Sequence, residues 1–126
     1  MIAIDAHRAG EGRWLVRASA ASRSTGRDAV EWAAEAAERG AGELLVTSID
    51  ADGTGGGYDL GLIERICRRV RVPVVASGGA GGPGHMVAAL RAGAQAALAA
   101  SIFHDRRFGF ADVKREAAAA GLPVRL

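Results

Sequence analysis

Apolar positions along this chain follow two rhythms. Ile2 to Ile4, Leu44 to Ile49, Pro73 to Ala76 and Ala96 to Ala99 are short, nearly unbroken apolar runs, the pattern of strands buried on both faces of a parallel sheet. Between them the spacing turns helical. Thr25 with Asp28 three residues on gives a capping-box-like start to a helix reaching Arg39, with Val30, Ala33, Ala34 and Ala37 on one face and Gly40 as its stop. A second helix runs from about Leu60 to Val70, its stripe formed by Leu62, Ile63, Ile66, Cys67 and Val70. Pro83 suits the first turn of a third, which carries Met86, Val87 and Leu90 and ends at Gly93. A last amphipathic helix spans about Ala111 to Ala120 and closes with Gly121 and Pro123. Trp14 to Ala18 reads as a short extended excursion and Ala20 to Gly26 as a small polar loop.

The order is therefore strand, helix, four times over, which implies a parallel sheet with right-handed crossovers. Gly40-Ala41 precedes Thr47-Ser48 as Gly93-Ala94 precedes Ala100-Ser101, a faint repeat of a two-strand unit that points to a barrel. A full (β/α)8 barrel takes ~250 residues, and 126 residues is half of one by count. A chain whose first strand opens almost at its first residue is expected to be cut from something longer. The fold expected is a (βα)4 half of a (β/α)8 barrel, one domain over residues 1–126, completed by self-association.

Composition narrows the function classes. Apolar residues make up 49% and charged ones 24%, as in a folded globular chain. The net charge is only +2 and its arginines are interspersed with acids, so no basic stripe with aromatics points to nucleic acid. At most the slight basic excess favours an anionic small ligand. Cys67 is the single cysteine, which rules out an internal disulfide and reads as a packed thiol on a helical stripe. No basic segment with an apolar core follows the start and no run reaches ~18 apolar residues, so neither a signal peptide nor a membrane span is expected and the cytoplasm is the default. His7, His85 and His104 lack ligand spacing, so no metal and no other cofactor is expected.

Two places carry chemistry. After Leu44 to Ile49 the chain turns at once to Asp50, Asp52 and a glycine-laden turn, polar groups just past the carboxyl end of a strand, where parallel α/β folds build their sites. On their own these residues equally make Asx turns with positive-φ glycines. Ser77-Gly78-Gly79-Ala80-Gly81-Gly82 follows the next strand and enters a helix at Pro83, so its amides can converge on an anion at a helix amino terminus. Tight strand-to-helix turns need glycine without any ligand too. Ala100 and Ser101 hold the same place after the fourth strand, and in barrels the last two such loops form the usual phosphate cradle. Gly79, Gly81 and Gly84 only approach the dinucleotide spacing, and no acidic ribose partner follows.

Ile4 to Ala6, Gly40 to Asp59 (Gly-Ala-Gly-Glu-Leu-Leu-Val-Thr-Ser-Ile-Asp-Ala-Asp-Gly-Thr, then Gly-Tyr-Asp), Ala76 to Gly81 and Ala97 to His104 closely resemble the cyclase subunit of imidazole glycerol phosphate synthase. The resemblance covers essentially the whole chain, but only the carboxyl-terminal half of that barrel. It implies a lyase of histidine biosynthesis that takes ammonia from a glutaminase partner and closes an imidazole ring on a bisphosphorylated ribulosyl aminoimidazole carboxamide. Two aspartates serve such an enzyme as acid and base. Asp5 matches the second, and the first lies on the missing half. By the same resemblance Asp52, Gly53, Ser77, Gly78, Gly79, Ala100 and Ser101 match the carboxyl-terminal phosphate site, and Thr47 and Asp50 line the mouth. Without the family, Asp5 reads as a loop or helix cap.

Two departures stand out against the family pattern. Ser19-Ala20-Ala21 replaces a His-Gly-Gly or Ser-Gly step, and Gly55 stands where lysine is common. A lone half-barrel would also leave an apolar inner face, lined by Leu45, Val75 and Leu98, without cover. The partners expected are a phosphorylated small molecule or inorganic phosphate and a second copy of the chain, as a homodimer or a higher homo-oligomer. The glutaminase docks on the opposite face across both halves, so half a barrel offers only part of that surface. The expected function is a cyclase-type half-site, weak or inactive alone. The rival is a non-catalytic, truncated or engineered half-barrel that binds phosphate and oligomerises.

Overall fold

The computed structural model describes residues 1–18, 23–98, 115, 118, 119 and 121. Its elements are β1 (Ile2–Gly10), β2 (Arg13–Ala18), β3 (Arg23–Asp28), α1 (Ala29–Glu38), β4 (Leu44–Ser48), α2 (Leu60–Arg69), β5 (Val74–Ser77), α3 (Pro83–Arg91) and β6 (Ala96–Ala97). They form one sheet in the order β3-β2-β1-β4-β5-β6. β1, β4, β5 and β6 are parallel neighbours joined through α1, α2 and α3, a partial (β/α)8 barrel as expected. The last helix and the end of the fourth strand fall mostly outside the described residues; Arg115, Ala118 and Ala119 are helical.

The sheet is not purely parallel, and here the reading of the amino-terminal third is corrected. Trp14 to Ala18 and most of the polar stretch behind it are paired strands. β2 runs antiparallel to β1 and β3 antiparallel to β2, so a meander is inserted between β1 and its crossover helix α1. The polar run Arg23–Asp28 has little strand propensity of its own. Pairing with β2 supplies what propensity does not. The helix start moves as well: Asp28, not Thr25, caps α1, its carboxylate accepting from the Glu31 N–H at 2.9 Å. Thr25 is spent inside the meander, its hydroxyl donating to the Val16 carbonyl at 2.8 Å.

The core lies on one side of the sheet. Ile4, Ala6, Leu44, Val46, Val74 and Ala76 are buried against Ala29, Ala33 and Ala36 of α1, Leu62, Ile63 and Ile66 of α2, and Met86 and Ala89 of α3. Alanine dominates the buried face of α1, which lets that helix approach the sheet closely. Gly93, just past α3, marks a close approach to α2, since a Cβ there would stand 2.9 Å from the Cβ of Cys67. Cys67 is a half-buried packing residue whose thiol is pushed above its ordinary pKa by burial.

Candidate functional site

Strand parity decides which side chains face away from the helices. Paired residues share a face, and the registers link Arg17 to Asp5, Asp5 to Thr47 and Thr47 to Ser77. These four form a transverse row across β2, β1, β4 and β5, on the side opposite Ile4, Val46 and Ala76. With strands ~4.8 Å apart the row is ~14 Å long. Beneath it, toward the amino ends of the parallel strands, the next row reads Ala3, Leu45, Val75 and Ala96. Leu98 follows on the same side and is 51% exposed. The face turned away from α1, α2 and α3 therefore carries an apolar floor with a cation, a carboxylate and two hydroxyls along its carboxyl-end rim. Asp5, Thr47 and Ser77, chosen from the sequence, belong to this row. Arg17 was not chosen. Among the described residues its Nε is buried without a hydrogen-bond partner.

The other sequence candidates sit above the row. Asp50 is exposed at the end of β4, and its Oδ2 accepts from the Arg8 N–H at 2.5 Å, tying that turn to the end of β1. Asp52 and Gly53 lie in the exposed turn that follows, where the Asp52 N–H donates to the Ser48 carbonyl at 3.0 Å and Gly53 has φ +79°. The buried Ser48 hydroxyl accepts from the Ala51 N–H at 3.1 Å and shapes the same turn. Ser77, Gly78 and Gly79 close β5. Ala100 and Ser101 lie outside the described residues.

The glycines after β5 have a packing reason. A Cβ on Gly79 would stand 2.2 Å from the Gly57 carbonyl oxygen, and one on Gly81 would stand 2.1 Å from that of Gly55. The Gly57 N–H donates to the Gly79 carbonyl at 2.7 Å, so the loops after β4 and β5 lie backbone against backbone. At the entry to α3 the Gly81 N–H donates to His85 Nδ1 at 2.8 Å, which places the imidazole proton on Nε2. His85 is thus a first-turn helix residue that folds back over the helix start.

Three further side chains that the sequence reading passed over hold this rim together. Trp14, 3% exposed, donates from Nε1 to Asp59 Oδ2 at 2.7 Å, while Asp59 Oδ1 accepts from the Leu62 N–H at 3.1 Å and caps α2. The Arg8 and Arg65 guanidinium carbons each stand 5.8 Å from the Trp14 ring centre. Tyr58 is buried and donates its phenolic hydrogen to the Leu98 carbonyl at 2.7 Å. Burial raises its pKa from 10 to about 12. The sequence signal was modest: single aromatics embedded in glycine-rich or polar turns, which often anchor a loop by a polar tip on an apolar body. A groove of about 330 Å³ on the helix side, lined by Val30, Arg65, Arg68 and Arg69, is a separate feature. There Arg68 pairs with Glu64 and Arg69 with Glu31.

Residues 1–109 match the family model described as histidine biosynthesis protein. The chain belongs to that family. Among curated relatives it is 50% identical over 125 residues to the imidazole glycerol phosphate synthase subunit HisF of Gluconacetobacter diazotrophicus, covering 99% of this chain and 48% of that protein. It is 52% identical to the HisF of Exiguobacterium sibiricum, with 99% and 50% covered, and 51% identical to that of Metallosphaera sedula, again with 99% and 50% covered. The resemblance to the cyclase subunit thus holds along the whole chain. The chain spans about half the length of the curated relatives it matches, in keeping with a half-barrel. No helix among the described residues is long and apolar enough to cross a membrane.

Proposed function

We propose that this chain supplies one half of a ring-closing cyclase site of the imidazole glycerol phosphate synthase type. The row Arg17, Asp5, Thr47, Ser77 on the face turned away from α1, α2 and α3 is the observation that supports this most. Asp5, partly exposed there, serves as the general acid or base. A carboxylate fixed at a strand's end can move a proton during closure of the imidazole ring and the elimination that releases the second product. Ser77, Gly78 and Gly79, with Asp52, Gly53, Ala100 and Ser101, hold one phosphate of the bisphosphorylated substrate, and Thr47 and Asp50 border its path. Ammonia is the nitrogen donor, from a glutaminase subunit where the rest of the docking surface is present. The other aspartate and the other phosphate site come from a complementary half.

A second reading is favoured by the apolar floor of the partly buried Leu45 and Val75 with the exposed Leu98. In it the chain is a phosphate-binding half-barrel that covers this floor with a second copy, as a twofold dimer or larger homo-oligomer, without turnover. One assay separates them: imidazole glycerol phosphate formation from the bisphosphorylated substrate and ammonia, by the chain alone and with an added amino-terminal half. The first reading expects turnover in the mixture that falls on the order of 10²- to 10⁴-fold in Asp5→Asn. No turnover in either arm supports the second reading, and an unchanged rate in Asp5→Asn removes Asp5 from the chemistry.

A further inference from the structure

Arg17 stands directly opposite Asp5 across the β1–β2 pair, and opposed charges on one sheet face ordinarily attract. Elsewhere the chain uses that attraction. Arg27 and Arg39 lie 3.6 and 2.8 Å from Glu35, and Arg69 lies 3.4 Å from Glu31. Among the described residues, neither the Arg17 guanidinium nor the Asp5 carboxylate makes a hydrogen bond or an ion pair. Arg17 is half-buried with its Nε enclosed, so the cation gives up water without gaining an acceptor, which is costly unless something else supplies one. The row beneath, Ala3, Leu45, Val75 and Ala96, offers no side-chain acceptor. A guanidinium and a carboxylate thus lie side by side above an apolar floor, each with its hydrogen-bonding capacity unspent. A small molecule that satisfies both must present negative charge on oxygen to the fork of the arginine and a proton to the aspartate.

We propose that Arg17 is the oxyanion contact beside Asp5. The inference rests on the cyclase reading above and names the residue that takes the charge formed when the ring closes. The ribulosyl arm of that substrate carries a ketone. As nitrogen adds to its carbon, the nitrogen lone pair forms the new C–N bond, the carbonyl π pair moves onto oxygen, and Arg17 donates to that oxygen while Asp5 takes the proton that nitrogen sheds. Ser77, ~14 Å along the row, is too far away to share this anion, so the contact is separate from the phosphate grip.

Two measurements separate this inference from the reading beneath it. In the first, the side-chain N–H resonances of Arg17 are followed while the chain alone is titrated with inorganic phosphate at fixed ionic strength. They are expected to move saturably with a Kd on the order of millimolar, on a curve separate from that of the Ser77 to Gly79 amides. In Asp5→Asn that Kd should fall about three- to tenfold, because the carboxylate opposite no longer repels the anion. Resonances that stay fixed, or that drift without saturating as for an adventitious ion only, overturn the oxyanion contact, whether or not phosphate binds at Ser77. The second measurement is turnover with ammonia in the mixture with the amino-terminal half. Arg17→Gln should lower kcat on the order of 10²- to 10³-fold with KM within about threefold, the pattern of a contact made in the transition state. Arg17→Lys should recover part of the loss by restoring the charge without the fork, and it decides the matter should Arg17→Gln not fold. An unchanged kcat, or a loss confined to KM, overturns the role in ring closure. If the wild-type mixture is inactive, the cyclase reading falls and takes that role with it, while the titration still decides the oxyanion contact.

Discussion

Substituting Gly79 by alanine tests the loop interlock where it is tightest. The new methyl would stand 2.2 Å from the Gly57 carbonyl oxygen and 2.9 Å from its carbon, at a backbone φ of +114°. Neither obstacle is the far end of a flexible side chain, so a loop must move. Holding an L-residue at positive φ costs roughly 1–2 kcal/mol, and forcing a buried methyl against fixed neighbours adds about 1–3 kcal/mol. Separating the loops stretches the Gly57 N–H to Gly79 carbonyl bond, about 1 kcal/mol more. The sum, roughly 3–6 kcal/mol, is a large part of the ~5–15 kcal/mol that holds a domain together. Urea unfolding of Gly79→Ala should show a midpoint lower by at least ~1 M, given a slope of ~1–3 kcal/mol per molar. Gly84, where a methyl meets nothing, is the control; Gly84→Ala should lie within about 1 kcal/mol of wild type. A Gly79→Ala chain as stable as the control would show that the two loops do not abut.

Further outcomes follow from individual contacts. Because burial raises the Tyr58 pKa from 10 to about 12, the folded state holds that proton more tightly than the unfolded one. Its contribution, on the order of 1 kcal/mol once rim solvation is allowed for, should be intact below pH 10 and be lost as pH rises from 10 towards 12. Denaturant titrations of wild type and Tyr58→Phe should converge over that window, and a constant difference would contradict it. Trp14→Phe keeps the ring but leaves Asp59 Oδ2 without its indole donor, and should cost ~1–3 kcal/mol in urea unfolding; a loss under ~0.5 kcal/mol would show the bond is dispensable. Sedimentation equilibrium at micromolar concentration should show self-association that weakens in Leu98→Glu, and a stable wild-type monomer would rule out a second copy as the cover of the apolar floor.

The barrel strands were legible because their apolar runs are short, flanked by glycine or proline, and separated by helical stripes. Parity did further service. Leu44, Val46 and Ser48 are buried while Leu45 and Thr47 are less so, and this alternation put Thr47 on the side of Asp5 and Ser77. The meander was not legible, since Arg23–Asp28 carries polar residues and a glycine and becomes a strand only through its neighbour. Its late recognition hid Arg17, whose place beside Asp5 depends on a pairing that no local pattern announces. The α1 cap could have been read: Asp28 with Glu31 three residues on is the better capping signature, because Asp28 directly precedes the alanine-rich stripe. Glycines were the hardest case. Composition suggests an anion cradle, whereas the close approaches at Gly79 and Gly81 come from a second loop, and sequence does not distinguish the two demands.

The most direct test of the half-site is a crystal structure of the chain grown in inorganic phosphate. An anion should be bound by the amides of Gly78 and Gly79 beside Ser77, on the side of the sheet away from α1, α2 and α3 and on the same rim as Asp5. A phosphate-soaked crystal with that position empty, or with phosphate held only in the arginine-lined groove between α1 and α2, would contradict it.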